Sequence, residues 1–233
     1  MKYNKCSNII FEGGNTDYMK EIAIYGAGGF GKEIYCLIQE INRSTSAPVY
    51  HFIGYFDDGK TQGDNFYHGT ILGGLATLNE WKKPLCIAVA IGSPQTLKKL
   101  SQSIINPKVE FPNLIAPDFR ILDAEAYKMG KGNLIFSKCS FSCDVKMGDF
   151  NILNSLIAVG HDSQIGNCNV FMPGAKISGG TQIGDGNLFG IYSVILQNVC
   201  IGNNTVVGTS SVIMRNTEDA KTYIGNPAKK FNF

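Results

Sequence analysis

The chain has 233 residues, of which 44% are hydrophobic and 17% charged, with 27 glycines. That composition excludes a disordered chain or a coiled coil and leaves apolar content for one large core or two small ones. A net charge of +2 provides no field for nucleic acid or an anionic membrane, and no apolar run approaches the roughly 18 residues of a membrane span.

Residues 1–18 are polar and patternless and read as a flexible extension. They lack the apolar stretch of a signal peptide, which places the protein in the cytoplasm. From residue 19 to 115 the pattern is α/β. Ile22–Tyr25 reads as a buried strand running into Gly26-Ala27-Gly28-Gly29-Phe30-Gly31. A helix follows, with Ile34, Leu37, Ile38 and Ile41 on one face. A second strand, Tyr50–Tyr55, ends in Asp57-Asp58-Gly59, and a third, Leu85–Ile91, leads into a helix over TLKKLSQSI. Strands alternating with helices predict a small Rossmann-like domain, about one mononucleotide-binding half.

From Met129 the character changes. Every sixth residue from Met129 to Ile213 is apolar, fifteen in succession, and chance would give this on the order of a few times per million registers. Glycine follows eight of the fifteen, and four residues on lie mostly small residues or Asn. A six-residue period is a short strand and a tight turn, and three such units close a triangular coil. The large residue fills the interior, and Gly or Asn tolerates the turn. The prediction is an all-β helix of about five coils over residues 116–217, with a tail over 218–233. Periodicity leaves its handedness open. The outward apolar residues Leu156, Val170, Leu188, Tyr192 and Val194 call for a partner surface, hence an oligomer. The seven cysteines are scattered, with no CxxC pair, and read as reduced, buried thiols and no metal site.

Two groups of residues carry chemistry. Gly26, Gly28 and Gly31 spell GxGxxG between a strand and a helix, where close backbone approach and helix N–H groups form an anion site. Asp57 and Asp58 occupy the acidic slot after the second strand. His161 stands two residues past Val159, at an offset held elsewhere by Lys131, Asp149, Asn167, Asp185 and Gln197. Those residues leave it as either a solvated turn histidine or a general base, with Asp162 beside it to orient the ring.

The hexapeptide run, VGHDSQIG around His161, IYGAGGFGKEI near the N-terminus and Gly225-Asn226-Pro227-Ala228-Lys229 together resemble the sugar acyltransferases of the NeuD/PglD type, over about residues 20–230. The resemblance implies a left-handed prism, a homotrimer with active sites between neighbouring prisms, and acetyl-CoA as co-substrate without a metal. It implies N-acetylation of a nucleotide-linked amino sugar of the 4-amino-4,6-dideoxy type, for a surface polysaccharide or glycan. O-acetylation of a sialic acid or other sugar hydroxyl, or a non-catalytic nucleotide-binding trimeric scaffold, are the alternatives. It implies His161 as the base with Asp162, Asn154 in the acceptor site, and the Gly179 N–H, beside Gly180, as oxyanion donor. Gly190, Ile191 and Gly208 would line the pantetheine track, and Pro227 with Lys229 or Lys230 the nucleotide end of the coenzyme. Gly26, Gly28, Gly31, Asp57 and Asp58 would hold the nucleotide-linked sugar. Some relatives place a histidine or polar residue nine positions after the base; here it is Val170.

Overall fold

The computed structural model describes residues 19–231; the proposed extension over 1–18 lies outside them. The first part is a six-stranded sheet flanked by helices. Strands β1 (Lys20–Tyr25), β2 (Tyr50–Phe56), β3 (Asn65–Phe66), β4 (Gly69–Gly73), β5 (Leu85–Val89) and β6 (Val109–Glu110) lie in the order β3-β4-β2-β1-β5-β6. All neighbours are parallel except β3 and β4, which form a hairpin. Helix α1 (Gly29–Ser44) buries Ile34, Leu37, Ile38 and Ile41 against the sheet. The short α2 (Leu75–Asn79) precedes β5. Helix α3 (Pro94–Ser103) starts where Ser93 caps the Thr96 N–H and Pro94 takes the first turn.

The second part is a left-handed parallel β-helix of two-residue strands. It begins earlier than the sequence period indicates, with β7 (Leu114–Ile115), β8 (Arg120–Ile121) and β9 (Lys128–Met129). The step from Ile121 to Met129 is eight residues, because a loop bulges out at the corner, so the strict six-residue register fails there. From Met129 to Ile213 the register is unbroken, and each strand pairs with the one eighteen residues on, as Leu134 with Ile152 and Phe141 with Val159.

The turn chemistry differs from the expectation. The left-handed residue is the third after each interior position, and it is mostly not glycine: Lys138, Phe150, Leu156, Asp162, Tyr192 and Asn198 all have φ between 54° and 70°. The glycines that directly follow interior positions have ordinary φ; they are there for space. A Cβ on Gly160 would run into the backbone nitrogen of Gly179, and one on Gly190 would come 2.5 Å from that of Thr209. At one corner, buried Asn133, Asn151, Asn169 and Asn187 form a ladder, each Oδ1 accepting the backbone N–H of the next coil at 2.7–3.0 Å. No carboxamide oxygen in the ladder is left unpaired in the dry interior.

The three outer faces meet different fates. One, carrying Leu114, Leu134, Ile152, Val170 and Leu188, is covered by this chain's own N-terminal domain in a single continuous core. Phe30 of α1 packs on Phe136 with ring centroids 5.8 Å apart, and Lys98 of α3 reaches Asp185 at 4.0 Å. Val170 and Leu188 therefore need no partner chain, contrary to expectation. The second face shows Lys128, Lys146, Gln164, Gln182 and Cys200. The third shows Ser140, Ala158, Lys176, Val194 and Val212, bordered by exposed Leu156, Ile191, Tyr192, Leu196 and Met214. The cysteines are also not uniformly buried. Of the six among the described residues, all free, Cys86, Cys139 and Cys168 are buried, while Cys36, Cys143 and Cys200 are exposed.

Candidate active site

The corner after Val159 brings His161 onto the next coil. Asp162, held in the left-handed region, places its carboxylate 2.7 Å from His161 Nδ1. A carboxylate only accepts, so Nδ1 carries a proton, and in the neutral ring Nε2 presents the free lone pair. The ring then extends over Gly179: a Cβ there would lie 2.6 Å from Nε2 and 2.7 Å from Cε1. Gly180 N–H donates to the His161 carbonyl at 2.7 Å, and Ser178 N–H donates to Ile195 at 3.0 Å. The Gly179 N–H between them has no acceptor among the described residues. A basic nitrogen thus stands over a glycine whose N–H is unengaged, on a rigid corner.

The glycine-rich loop divides into two kinds of glycine. Gly26 (φ 115°) abuts the Ala90 carbonyl, where a Cβ would sit 2.7 Å away, and a Cβ on Gly31 would collide with the Gly26 carbonyl. Gly28 and Gly29 face open space, and Gly28 N-caps α1 with no side-chain partner. Both acidic residues brace this mouth. Asp57 accepts from Ala27 N–H at 2.7 Å and Gly59 N–H at 2.8 Å; Asp58 accepts from Leu75 N–H at 2.8 Å and from the Tyr25 hydroxyl. Burial, and then that carboxylate, pushes the Tyr25 phenol well above its usual pKa.

The PglD N-terminal domain family matches residues 21–104, and the bacterial transferase hexapeptide family matches residues 180–215. By these two matches and the structures below, the chain is similar to the hexapeptide-repeat acyltransferases of the NeuD/PglD type. Among curated proteins there is no match. Among solved structures, the acetyltransferase domain of PglB from Neisseria gonorrhoeae is 26% identical and superposes with a TM-score of 0.81, covering 91% of this chain and 100% of that one. WeeI from Acinetobacter baumannii is 28% identical, with a TM-score of 0.80 over 92% of this chain and 100% of its own. A perosamine N-acetyltransferase from Caulobacter crescentus, at 22% identity and TM-score 0.80 over 93% and 99% of the two chains, shares the fold.

The fold does not gather all the residues singled out from the sequence at one place. His161, Asp162, Gly179 and Gly180 share one corner. Asn154 lies at the preceding corner, its Nδ2 donating to the Phe171 carbonyl at 2.9 Å, and no hydrogen bond among the described residues joins it to His161. Gly190 and Gly208 continue the Asn154 column at eighteen-residue steps, with Ile191 exposed beside Gly190. The C-terminal hairpin of Thr222–Gly225 and Ala228–Phe231 extends the same sheet, so Pro227 and Lys229 cap that column. Lys230 pairs with Glu218 at 2.7 Å, whereas Lys221 and Lys229 make no ion pair among the described residues. Val170, nine residues past His161, is buried beneath the N-terminal domain and presents no side chain to a site.

Among the described residues no cluster of three or more His, Cys, Asp or Glu could hold a metal, and no helix is long and apolar enough to cross a membrane. The Thr181 hydroxyl, below the Ser178–Gly179 peptide, is a feature that sequence reading passed over. It was visible only as one more small residue at the fourth offset.

Proposed function

We propose that this protein is a cytoplasmic, acetyl-CoA-dependent N-acetyltransferase acting on the amino group of a nucleotide-linked amino sugar. The observation that carries this reading is the His161–Gly179 corner, an oriented base over an unengaged N–H. The acceptor amine attacks the thioester carbonyl carbon while His161 Nε2 takes its proton. The carbonyl oxygen becomes an oxyanion, which accepts from the Gly179 N–H. Collapse breaks the carbon–sulfur bond, and the imidazolium returns the proton to the departing coenzyme thiolate. Support for the donor comes from the PglB acetyltransferase domain, 26% identical, whose structure was solved with acetyl coenzyme A.

The two-corner distribution favours a homotrimer. The corner with Asn154, Gly190, Ile191, Gly208, Pro227 and Lys229 would face the His161 corner of a neighbouring prism, so each site is built by two chains. Acetyl-CoA would lie along Gly190 and Gly208 with its nucleotide end at Pro227 and Lys229. Residues 19–115 would be the nucleotide-sugar domain, 116–217 the acyltransferase domain and 218–233 the coenzyme-side tail. Phosphates would sit on the N–H groups at Gly28 and Gly29, in a mouth held by Gly26, Gly31, Asp57 and Asp58.

The deciding experiment follows release of the coenzyme thiol with a panel of nucleotide amino sugars, with the matching hydroxyl sugars and sialic acid in parallel. Acceptance of amino sugars alone supports the reading. Acceptance of hydroxyl sugars alone moves it to O-acetylation, and nucleotide binding with no transfer to any acceptor reduces the protein to a scaffold.

A further inference from the structure

We infer that Thr181 is a positioning residue for the oxyanion donor, acting through the far end of the same peptide unit; this rests on the acyl-transfer reading above. Thr181 is fully buried, and its Oγ1 donates to the Ser178 carbonyl oxygen at 2.6 Å. Among the described residues the only other acceptor in range, the Leu196 carbonyl, is 3.5 Å away, so the single hydroxyl proton is committed to Ser178. The Ser178 oxygen and the Gly179 N–H belong to one amide. A hydrogen bond accepted by the oxygen polarises that amide, so its N–H becomes a stronger donor, an effect of about 10–30% per bond. It also fixes the plane of the peptide, and therefore the direction in which the N–H points.

Packing alone does not call for a hydroxyl at this place. The equivalent interior positions one coil before His161's and one coil after Gly179's are Val145 and Val199, both buried. Valine has the shape of threonine. In the coils between them, the two that carry His161 and Gly179, the position is held by Ser163 and Thr181. Ser163 Oγ lies 3.4 Å from both the His161 and the Ser178 carbonyl oxygens, at the edge of bonding, so Thr181 is the side chain that grips the peptide. A merely self-satisfying hydroxyl would make the same bond, and the test separates the two roles.

The test compares the full-length wild type with Thr181→Val, which the column already accommodates, and Thr181→Ser, which keeps the hydroxyl. Ser178-Gly179 is the only Ser-Gly step in the sequence. Protein carrying carbonyl-labelled serine and nitrogen-labelled glycine therefore gives one amide correlation, that of Gly179. In Thr181→Val the Gly179 amide proton should move upfield, and kcat should fall roughly three- to tenfold with both KM values unchanged, less than the about 10²–10³ lost when an oxyanion donor is removed outright. Thr181→Ser should restore both. An unmoved Gly179 amide in Thr181→Val overturns the inference whatever the rates, and a moved amide with wild-type kcat overturns the catalytic role. If the wild type transfers no acyl group to any acceptor, the parent reading fails and takes the catalytic role with it, while the amide shift still decides whether Thr181 polarises this peptide.

Discussion

His161 and Gly179 stand one coil apart, and the imidazole of the first covers the Cα of the second, with Nε2 2.6 Å from where a Cβ would be. The step between them is the eighteen-residue pitch of the solenoid, so the distance from the imidazole to the Gly179 N–H is set by strand pairing and not by a loop. That pairing is continuous: Ala158 with Lys176 and Val159 with Ile177 lie directly beneath the corner. Sites on regular elements hold such geometry best.

Gly179→Ala follows from this contact. Gly179 has ordinary φ, so alanine is tolerated by the backbone. Its methyl group, however, must displace the half-exposed His161 ring, which has room to swing outward. Turnover should fall by about 10² or more, as for loss of a general base, with melting temperature unchanged. Steady-state rates beside a thermal melt check this; wild-type turnover would show that the ring position is immaterial.

His161→Ala should leave fold and coenzyme affinity intact and lower turnover by about 10²–10⁴. Asp162→Asn should cost less, because it disturbs only the hydrogen bond that assigns the Nδ1 proton. The rate profile against pH should lose its imidazole limb in His161→Ala and keep the limb of the acceptor amine. Identical single limbs in variant and wild type would mean that proton removal bypasses His161.

The repeat was legible because one apolar residue per six must fill the prism, a constraint that tolerates no exception from Met129 to Ile213. It failed at Ile121, where an eight-residue step hides the first coil. The β3–β4 hairpin and α2 were invisible because elements of two and five residues carry no period. Which outer face is covered was also illegible: Val170 and Val194 are alike in sequence, and only the docking of the N-terminal domain separates them. Of the candidate site, His161 and Asp162 stood out as residues, and Gly179 only through the family resemblance. The bracing of the glycine loop by Asp57 and Asp58 was not legible, since it depends on which backbone N–H groups the fold turns toward them.

Gly28→Ala is the clean probe of the proposed nucleotide site. Its position has φ −115° and nothing within 4 Å of a Cβ, so folding should be unaffected. A methyl group there would stand between a phosphate and the N–H groups of α1, and KM for the nucleotide sugar should rise on the order of tenfold, about 1.4 kcal/mol. Gly31→Ala should instead destabilise the domain, because its Cβ meets the Gly26 carbonyl. An unaltered KM in Gly28→Ala would remove the loop from substrate binding.

The tail should respond to acid. Lys230 beside Glu218 holds its carboxyl below the usual value of 4.5, and the Asn203 backbone N–H does the same for Asp219. Both folded values are depressed, so their contributions are present above the ordinary carboxylate range and are lost as pH falls through the folded values. Both groups are solvent-exposed, so the effect is local. Proteolysis of the segment after Glu218 should accelerate below about pH 4 in the wild type. In Glu218→Gln it should already be faster at neutral pH. Equal cleavage of the two proteins at neutral pH would show that the ion pair does not hold the tail.

The third outer face yields the last prediction. One face is covered by the N-terminal domain and one is polar, but the face of Ala158, Val194 and Val212 is bordered by Leu156, Ile191, Tyr192, Leu196 and Met214, with Tyr192 60% exposed. This apolar strip runs between the Asn154 corner and the His161 corner. A contact there, repeated around a threefold axis, covers the strip and brings the two corners of neighbouring chains together. Light scattering should give three times the 25.3 kDa chain mass at micromolar concentration. Tyr192→Asp should weaken assembly and activity together, since it charges the strip without touching His161 or Gly179. A monomeric wild type with full activity would place the whole site in one chain and overturn the two-corner arrangement.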